Sequence, residues 1–207
     1  MRVALLGGTG RIGGLLLAQA LESGHEVTVL ARNTDALTPA GGLTTISGDA
    51  TDAQAVAATV DGADAVLSAL GPRGAKAPSL LESAARNTVL AMSKIGGRRL
   101  ICVSAAGAFI EGDPNMSAVV KFILPKVFAT QFADVRAMEQ VIRASDLDWT
   151  LVRPTRLVNS GVTQKYRTAP DYAPPGGRKI SRADVAQFIG TVLEQDAWLK
   201  AAPALAY

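Results

Sequence analysis

The chain has 207 residues, 48% of them hydrophobic and 19% charged, which suits one domain with a sizeable core and excludes a disordered or fibrous chain. The net charge is +3, but no run of basic residues exceeds two, so the balance argues against a nucleic-acid partner. No apolar stretch reaches the roughly 18 residues of a membrane span, Met1 leads straight into a strand with no room for a signal peptide, and the lone cysteine, Cys102, cannot form an intrachain disulfide; the expectation is a cytoplasmic protein with no membrane partner.

The first apolar run, Val3–Leu6, reads as a buried strand. Gly7-Gly8-Thr9-Gly10-Arg11-Ile12-Gly13 follows it and opens a helical pattern that reaches Ser23. A strand, a glycine turn and a helix start in that order form a pyrophosphate cradle, because backbone N–H groups and the positive end of the helix dipole point at the anion. The spacing is Gly-x-x-Gly-x-x-Gly rather than the standard Gly-x-Gly-x-x-Gly.

Strand patterns recur at Glu26–Leu30, Leu43–Ser47, Ala65–Ala69 and Leu100–Val103, with helical patterns at Ala53–Val60 and Leu80–Ile95 between them. This alternation predicts an α/β fold: a single-domain, Rossmann-like, doubly wound and mainly parallel sheet with helices on both faces, spanning residues 1–207. Beyond Val103 the pattern loosens. Met116–Phe128 and Thr130–Ala144 read as helices, and Trp149–Val152 as a sixth strand closed by Arg153-Pro154. Thr155–Gly177 reads as a Pro- and Gly-rich loop on the substrate side, followed by a short strand near Arg178–Ile180 and a helix over Arg182–Glu194 with Ser181 as its N-cap.

Ligands in such sheets bind outside the carboxyl ends of the strands. Gly7, Thr9, Gly10, Arg11, Ile12 and Gly13 would therefore hold diphosphate, Arg11 being alternatively an exposed helix-start residue. NAD-preferring folds place an acid at the tip of strand two to meet the ribose 2′-hydroxyl. Here Arg32 stands there; a guanidinium suits a 2′-phosphate and favours NADP, unless it is an ordinary solvated arginine. Asp49 and Ala50 would border adenine, although Asp49 could instead cap the next helix. Ala69, Leu70, Gly71 and Pro154 would line the nicotinamide half, and Arg73 would reach a phosphate or an anionic substrate, or stay solvated.

Ser104, directly after strand five, is the catalytic candidate, able to hold a substrate carbonyl or the nicotinamide amide; otherwise it caps a turn. Thr155 and Arg156 would border the substrate. The Tyr-x-x-x-Lys proton donor is missing, since Pro170 stands four residues after Tyr166 and Gly176 four after Tyr172. His25 falls on the amino edge of the sheet, Cys102 reads as a buried small hydrophobe, and no His, Cys or carboxylate cluster has metal-ligand spacing. A hydride carrier without acid–base machinery suits conjugated acceptors, which delocalise the incoming charge and take their proton from solvent.

These motifs, together with Asp64-Ala65-Val66, Ala85-Arg86-Asn87 and Ile180-Ser181-Arg182-Ala183-Asp184-Val185-Ala186, resemble the atypical short-chain dehydrogenases/reductases. The likeness is to the NAD(P)H-binding, NmrA-like group that includes biliverdin-IXβ reductase and the NADH-flavin reductases. The resemblance implies an NADPH site on the glycine loop, Arg32 and Asp49, a serine near hydride transfer at Ser104, and a shallow site for planar acceptors. Biliverdin-IXβ reductase has a histidine after the proline that ends strand six, where this chain has Thr155 and then Arg156. The expected activity is hydride transfer from NADPH to a flavin, quinone or similar planar small molecule, by a monomer or weak homodimer. The alternatives are a non-catalytic NADP-binding redox sensor or a tailoring reductase of a biosynthetic pathway.

Overall fold

The computed structural model describes residues 1–71, 79–195 and 197–207. Its strands are β1 (Arg2–Leu6), β2 (Glu26–Ala31), β3 (Leu43–Ser47), β4 (Ala65–Ser68), β5 (Arg99–Val103), β6 (Asp148–Pro154), β7 (Arg156–Val158), β8 (Arg167–Pro170), β9 (Lys179–Ser181) and β10 (Pro203–Ala206). The helices are α1 (Gly13–Glu22), α2 (Ala53–Val60), α3 (Leu80–Ile95), α4 (Ala118–Val127), α5 (Ala129–Arg143) and α6 (Arg182–Glu194). The main sheet has the order β3-β2-β1-β4-β5-β6-β10-β8, and β7 pairs with β9 in a small second sheet. All pairings in the main sheet are parallel except β10 with β8.

Side-chain alternation divides the core into two layers. Ala4, Leu6, Leu100, Cys102, Trp149 and Leu151 face α2, α3 and α5. Val3, Leu5, Ile101, Val103 and Val152 face α1 and α6. The strand order reverses at β1, whose neighbours are β2 and β4. That reversal sends the crossover helices to opposite faces and opens a crevice at the carboxyl ends of β1 and β4.

The first half follows the expected elements closely, whereas the second half departs from them in three places. Strand β6 is not closed by Arg153-Pro154 but runs through both, because Arg153 pairs with Ala204 and Pro154 with Leu205 of β10. Thr155 then donates its N–H to Leu205 O at 3.1 Å. The segment expected as a loop over Thr155–Gly177 contains β7 and β8. Strand β8 is largely exposed and pairs antiparallel with β10. The C-terminal β10, Pro-Ala-Leu-Ala, carries no β-branched residue and no turn signal, yet is wholly buried. Its strand character comes from its neighbours rather than from propensity.

Helix α4 is the outlier among the helices. None of its residues is buried, and Val119, Phe122, Ile123 and Val127 are each more than half exposed. Its inner contacts are with α5 and with the 3₁₀ turn at Ala106–Phe109, where a Cβ on Gly107 would meet Phe132 at 2.9 Å and Leu124 at 3.6 Å.

Candidate functional site

Because the strands are parallel, β1 to β6 and β10 deliver their carboxyl ends to one edge of the sheet. That edge carries the glycine loop, Arg32, Asp49-Ala50, Ala69-Leu70-Gly71, Ser104 and Pro154. Arg73 lies outside the described residues. His25 sits at the amino end of β2, on the opposite edge. A cleft of about 370 Å³ also lies on that opposite edge, lined by Arg2, Glu26, Thr28 and Asp61, away from every candidate residue.

The loop is held by backbone at close quarters. Gly7 has φ +86°, and a Cβ there would lie 2.9 Å from the backbone of Ala69. A Cβ on Gly13 would fall 2.0 Å from Gly7 O, and one on Gly8 would fall 2.6 Å from the Val29 side chain. Glycine is thus required where the loop crosses from β1 towards β4 and where α1 packs back on it. Gly10 N–H bonds Gly7 O at 2.9 Å, and Gly14 N–H bonds Gly10 O at 2.8 Å.

The helix starts differ in how their free N–H groups are used. Helix α2 is capped by Asp52, which accepts from Gln54 and Ala55, and α6 by Ser181, which accepts from Asp184. Helix α3 is capped from a distance: the buried Asp134 carboxylate of α5 accepts from Leu81 and Glu82 at 3.0 Å each. Helix α1 starts at Ile12 with no side-chain cap and no acid in its first turn. The N–H groups of Arg11, Ile12 and Gly13 have no acceptor among the described residues. With the glycines around it, this is an anion cradle in form.

Arg32 is exposed just past β2, and its side chain has no hydrogen-bond or ion-pair partner among the described residues. Asp49 Oδ1 accepts from the N–H and the hydroxyl of Thr51, at 3.0 and 2.9 Å. It therefore shapes the turn before α2, while Asp52 makes the cap. Ala50 is buried, and its carbonyl accepts from Asn87 Nδ2 at 3.2 Å.

Ser104 is not an isolated hydroxyl. It donates to Glu139 Oε1 at 2.6 Å, and Glu139 is only 1% exposed. The same carboxylate receives Arg153 through Nε at 2.9 Å and Nη2 at 2.6 Å, and Arg143 Nε at 3.3 Å. Arg153 also donates to Asp171 O at 2.9 Å, and its guanidinium lies 3.6 Å from the centre of the Phe109 ring. One buried arginine thus ties α5, β6, the turn after β5 and the segment after β8 together behind Ser104. Sequence reasoning missed Glu139 and read Arg153 as part of a strand end at the ligand edge, with no partner named for it. A signal was present: Val135, Met138, Glu139 and Ile142 form one buried stripe of α5, so an acid occupies an apolar position and needs a partner.

Thr155 spends its hydroxyl on Leu205 O at 3.1 Å, and Arg156 is exposed on β7. Cys102 is buried, and burial pushes its thiol up to about 12, so it is inert at neutral pH. Asp184, at 0% exposure, is structural: it accepts from Tyr207, Ser181, Gln164 and twice from Thr163. Burial opposes its charge, but the Tyr207 phenol and the Gln164 and Thr163 donors outweigh that and hold its pKa down at about 2. Among the described residues no cluster of His, Cys, Asp or Glu could hold a metal, and no helix is long and apolar enough to cross a membrane.

A family model described as NAD(P)H-binding matches residues 7–196. A solved protein of Burkholderia pseudomallei is 30% identical, each chain covering all of the other, with a TM-score of 0.82. ChuY, an anaerobilin reductase from Escherichia coli O157:H7, is 26% identical, with 100% of this chain and 97% of that one covered and a TM-score of 0.82. A short-chain dehydrogenase/reductase from Veillonella parvula, solved in complex with NADP, is 22% identical over 100% of this chain and 94% of its own, with a TM-score of 0.83. The chain belongs to the NAD(P)H-binding family and has its Rossmann-like fold.

Proposed function

We propose that the chain is a single-domain, NADPH-dependent reductase that passes hydride to a planar conjugated acceptor such as a flavin or a quinone. The observation that carries this reading is the open start of α1: three N–H groups without acceptors among the described residues, behind glycines that admit no Cβ. Those features fit a dinucleotide diphosphate, held by Gly7, Thr9, Gly10, Arg11, Ile12 and Gly13. Arg32, without a side-chain partner among the described residues at the tip of β2, suits a 2′-phosphate, and the NADP complex of the Veillonella relative agrees with that choice. Asp49 and Ala50 border adenine through backbone and the Thr51-braced turn. Ala69, Leu70, Gly71 and Pro154 flank the nicotinamide half.

A bound nicotinamide would supply the hydride. The chain's own part is to bind and orient, since Ser104 is committed to Glu139 and no other acid–base pair stands at this edge among the described residues. The reductase named among the relatives supports the reaction class. The test is steady-state oxidation of NADPH with FMN, biliverdin and quinones offered in turn, beside calorimetric binding of NADP. Turnover with at least one acceptor is expected. Tight NADP binding with no oxidation by any of them makes the chain a redox-sensing module instead.

A further inference from the structure

Ser104 has one proton to give, and the structure shows where it goes. A serine hydroxyl is one donor and two acceptor lone pairs. Its O–H points at Glu139 Oε1 at 2.6 Å, a short, charge-assisted contact within a carboxylate that Arg153 grips with two further bonds. Turning the hydroxyl round would leave a buried carboxylate oxygen with one donor fewer, and Glu139 cannot swing away from two arginines. Ser104 is itself held by its N–H to Val152 O at 2.7 Å. The pairing of Ser68 with Cys102, continued past the strand ends, brings Leu70 level with Ser104 at the crevice.

We infer that Glu139, locked by Arg153, makes Ser104 a hydrogen-bond acceptor towards the site, so that the ligand group it receives is an N–H and not a carbonyl. This corrects the carbonyl-holding role that the sequence suggested for Ser104, and it rests on the proposal that a dinucleotide and its acceptor occupy this edge. Glu139 and Arg153 are positioning residues: they act through Ser104 and set its polarity. The N–H has two sources, the carboxamide of the nicotinamide or a ring N–H of the acceptor, and methylated analogues separate them.

The experiment is equilibrium binding to wild type, Ser104→Ala and Glu139→Gln, each checked for folding by circular dichroism. One arm compares NADP with its 3-acetylpyridine analogue, which keeps the carbonyl and replaces the NH₂ by methyl. The other compares lumiflavin with 3-methyl-lumiflavin in the presence of NADP. Wild type is expected to disfavour the N–H-lacking member of one pair by about fivefold, the size of one hydrogen bond. Ser104→Ala should lose that discrimination, and Glu139→Gln, which frees the hydroxyl proton, should narrow or invert it. The pair that responds names the donor. Equal wild-type binding within both pairs overturns the inference, and so does discrimination unchanged in Ser104→Ala or in Glu139→Gln. The binding arms need no turnover, so absence of NADPH oxidation sinks the reductase reading, whereas absence of discrimination sinks this one.

Discussion

Around Gly7 the site is made of backbone, and around Ser104 it is made of side chains. The glycine loop touches Ala69 through main-chain atoms, and its helix start is left uncapped. Across the same edge, Ser104 and Phe109 of the turn after β5, Glu139 of α5 and Arg153 of β6 are brought together from three separate stretches of chain, and the arginine reaches on to Asp171. The first arrangement tolerates no added atom but depends little on what surrounds it. The second depends on every member, because each buried charge is neutralised by the others. Substitutions should therefore fail differently: by lost affinity on the first side, by lost stability and altered selectivity on the second.

The largest effect is expected at Glu139. Glu139→Ala strands Arg153 in the interior and should lower unfolding free energy by about 3–5 kcal/mol in urea denaturation. A loss below 1 kcal/mol would mean that the two halves do not differ in this way. On the backbone side, Gly13→Ala places a Cβ 2.0 Å from Gly7 O, whereas a Cβ on Gly14 meets nothing closer than 3.6 Å. By calorimetry, Gly13→Ala should weaken NADP binding at least about 100-fold, roughly 2.7 kcal/mol, with Gly14→Ala as the near-neutral control.

Asp184 sharpens the contrast with a pH signature. Its folded pKa, about 2, lies below the ordinary value of 3.8. Its stabilisation is therefore complete above about pH 4 and is lost as pH falls towards the folded value. Asp184→Asn should cost about 2 kcal/mol at neutral pH. The gap between variant and wild type should close as pH drops from about 4 to 2, followed by thermal melts; a gap independent of pH would remove the ionised Asp184 from the account. The smallest effect is expected at Arg32. Wild type should prefer NADPH over NADH by at least about tenfold, or 1.4 kcal/mol, and Arg32→Asp should erase that preference. An unchanged ratio would take the 2′-phosphate away from Arg32.

The strands up to Val103 and their crossover helices were readable because each is a local pattern: an apolar run, a periodic stripe, a glycine turn. The glycine loop was readable for the same reason, since its requirement is conformational and only one residue type meets it. Strand β10 was not readable, because Pro203–Ala206 has no strand pattern of its own and is ordered by β6 and β8. Nor was β8, an exposed edge inside what reads as a loop. Asp134 shows the same limit: it caps α3 from 52 and 53 residues away, a relation no local pattern encodes.

The sequence by itself determined strands β1 to β6 and the glycine loop at their carboxyl edge, because those follow from backbone conformation and from hydrophobic period, both written residue by residue. Only the tertiary structure decided what Ser104 can do. Its single proton belongs to Glu139, 35 residues away on another element, and Glu139 is held in turn by Arg153 of β6. A hydroxyl can donate or accept with equal ease, and which it does depends on the partner that folding brings beside it.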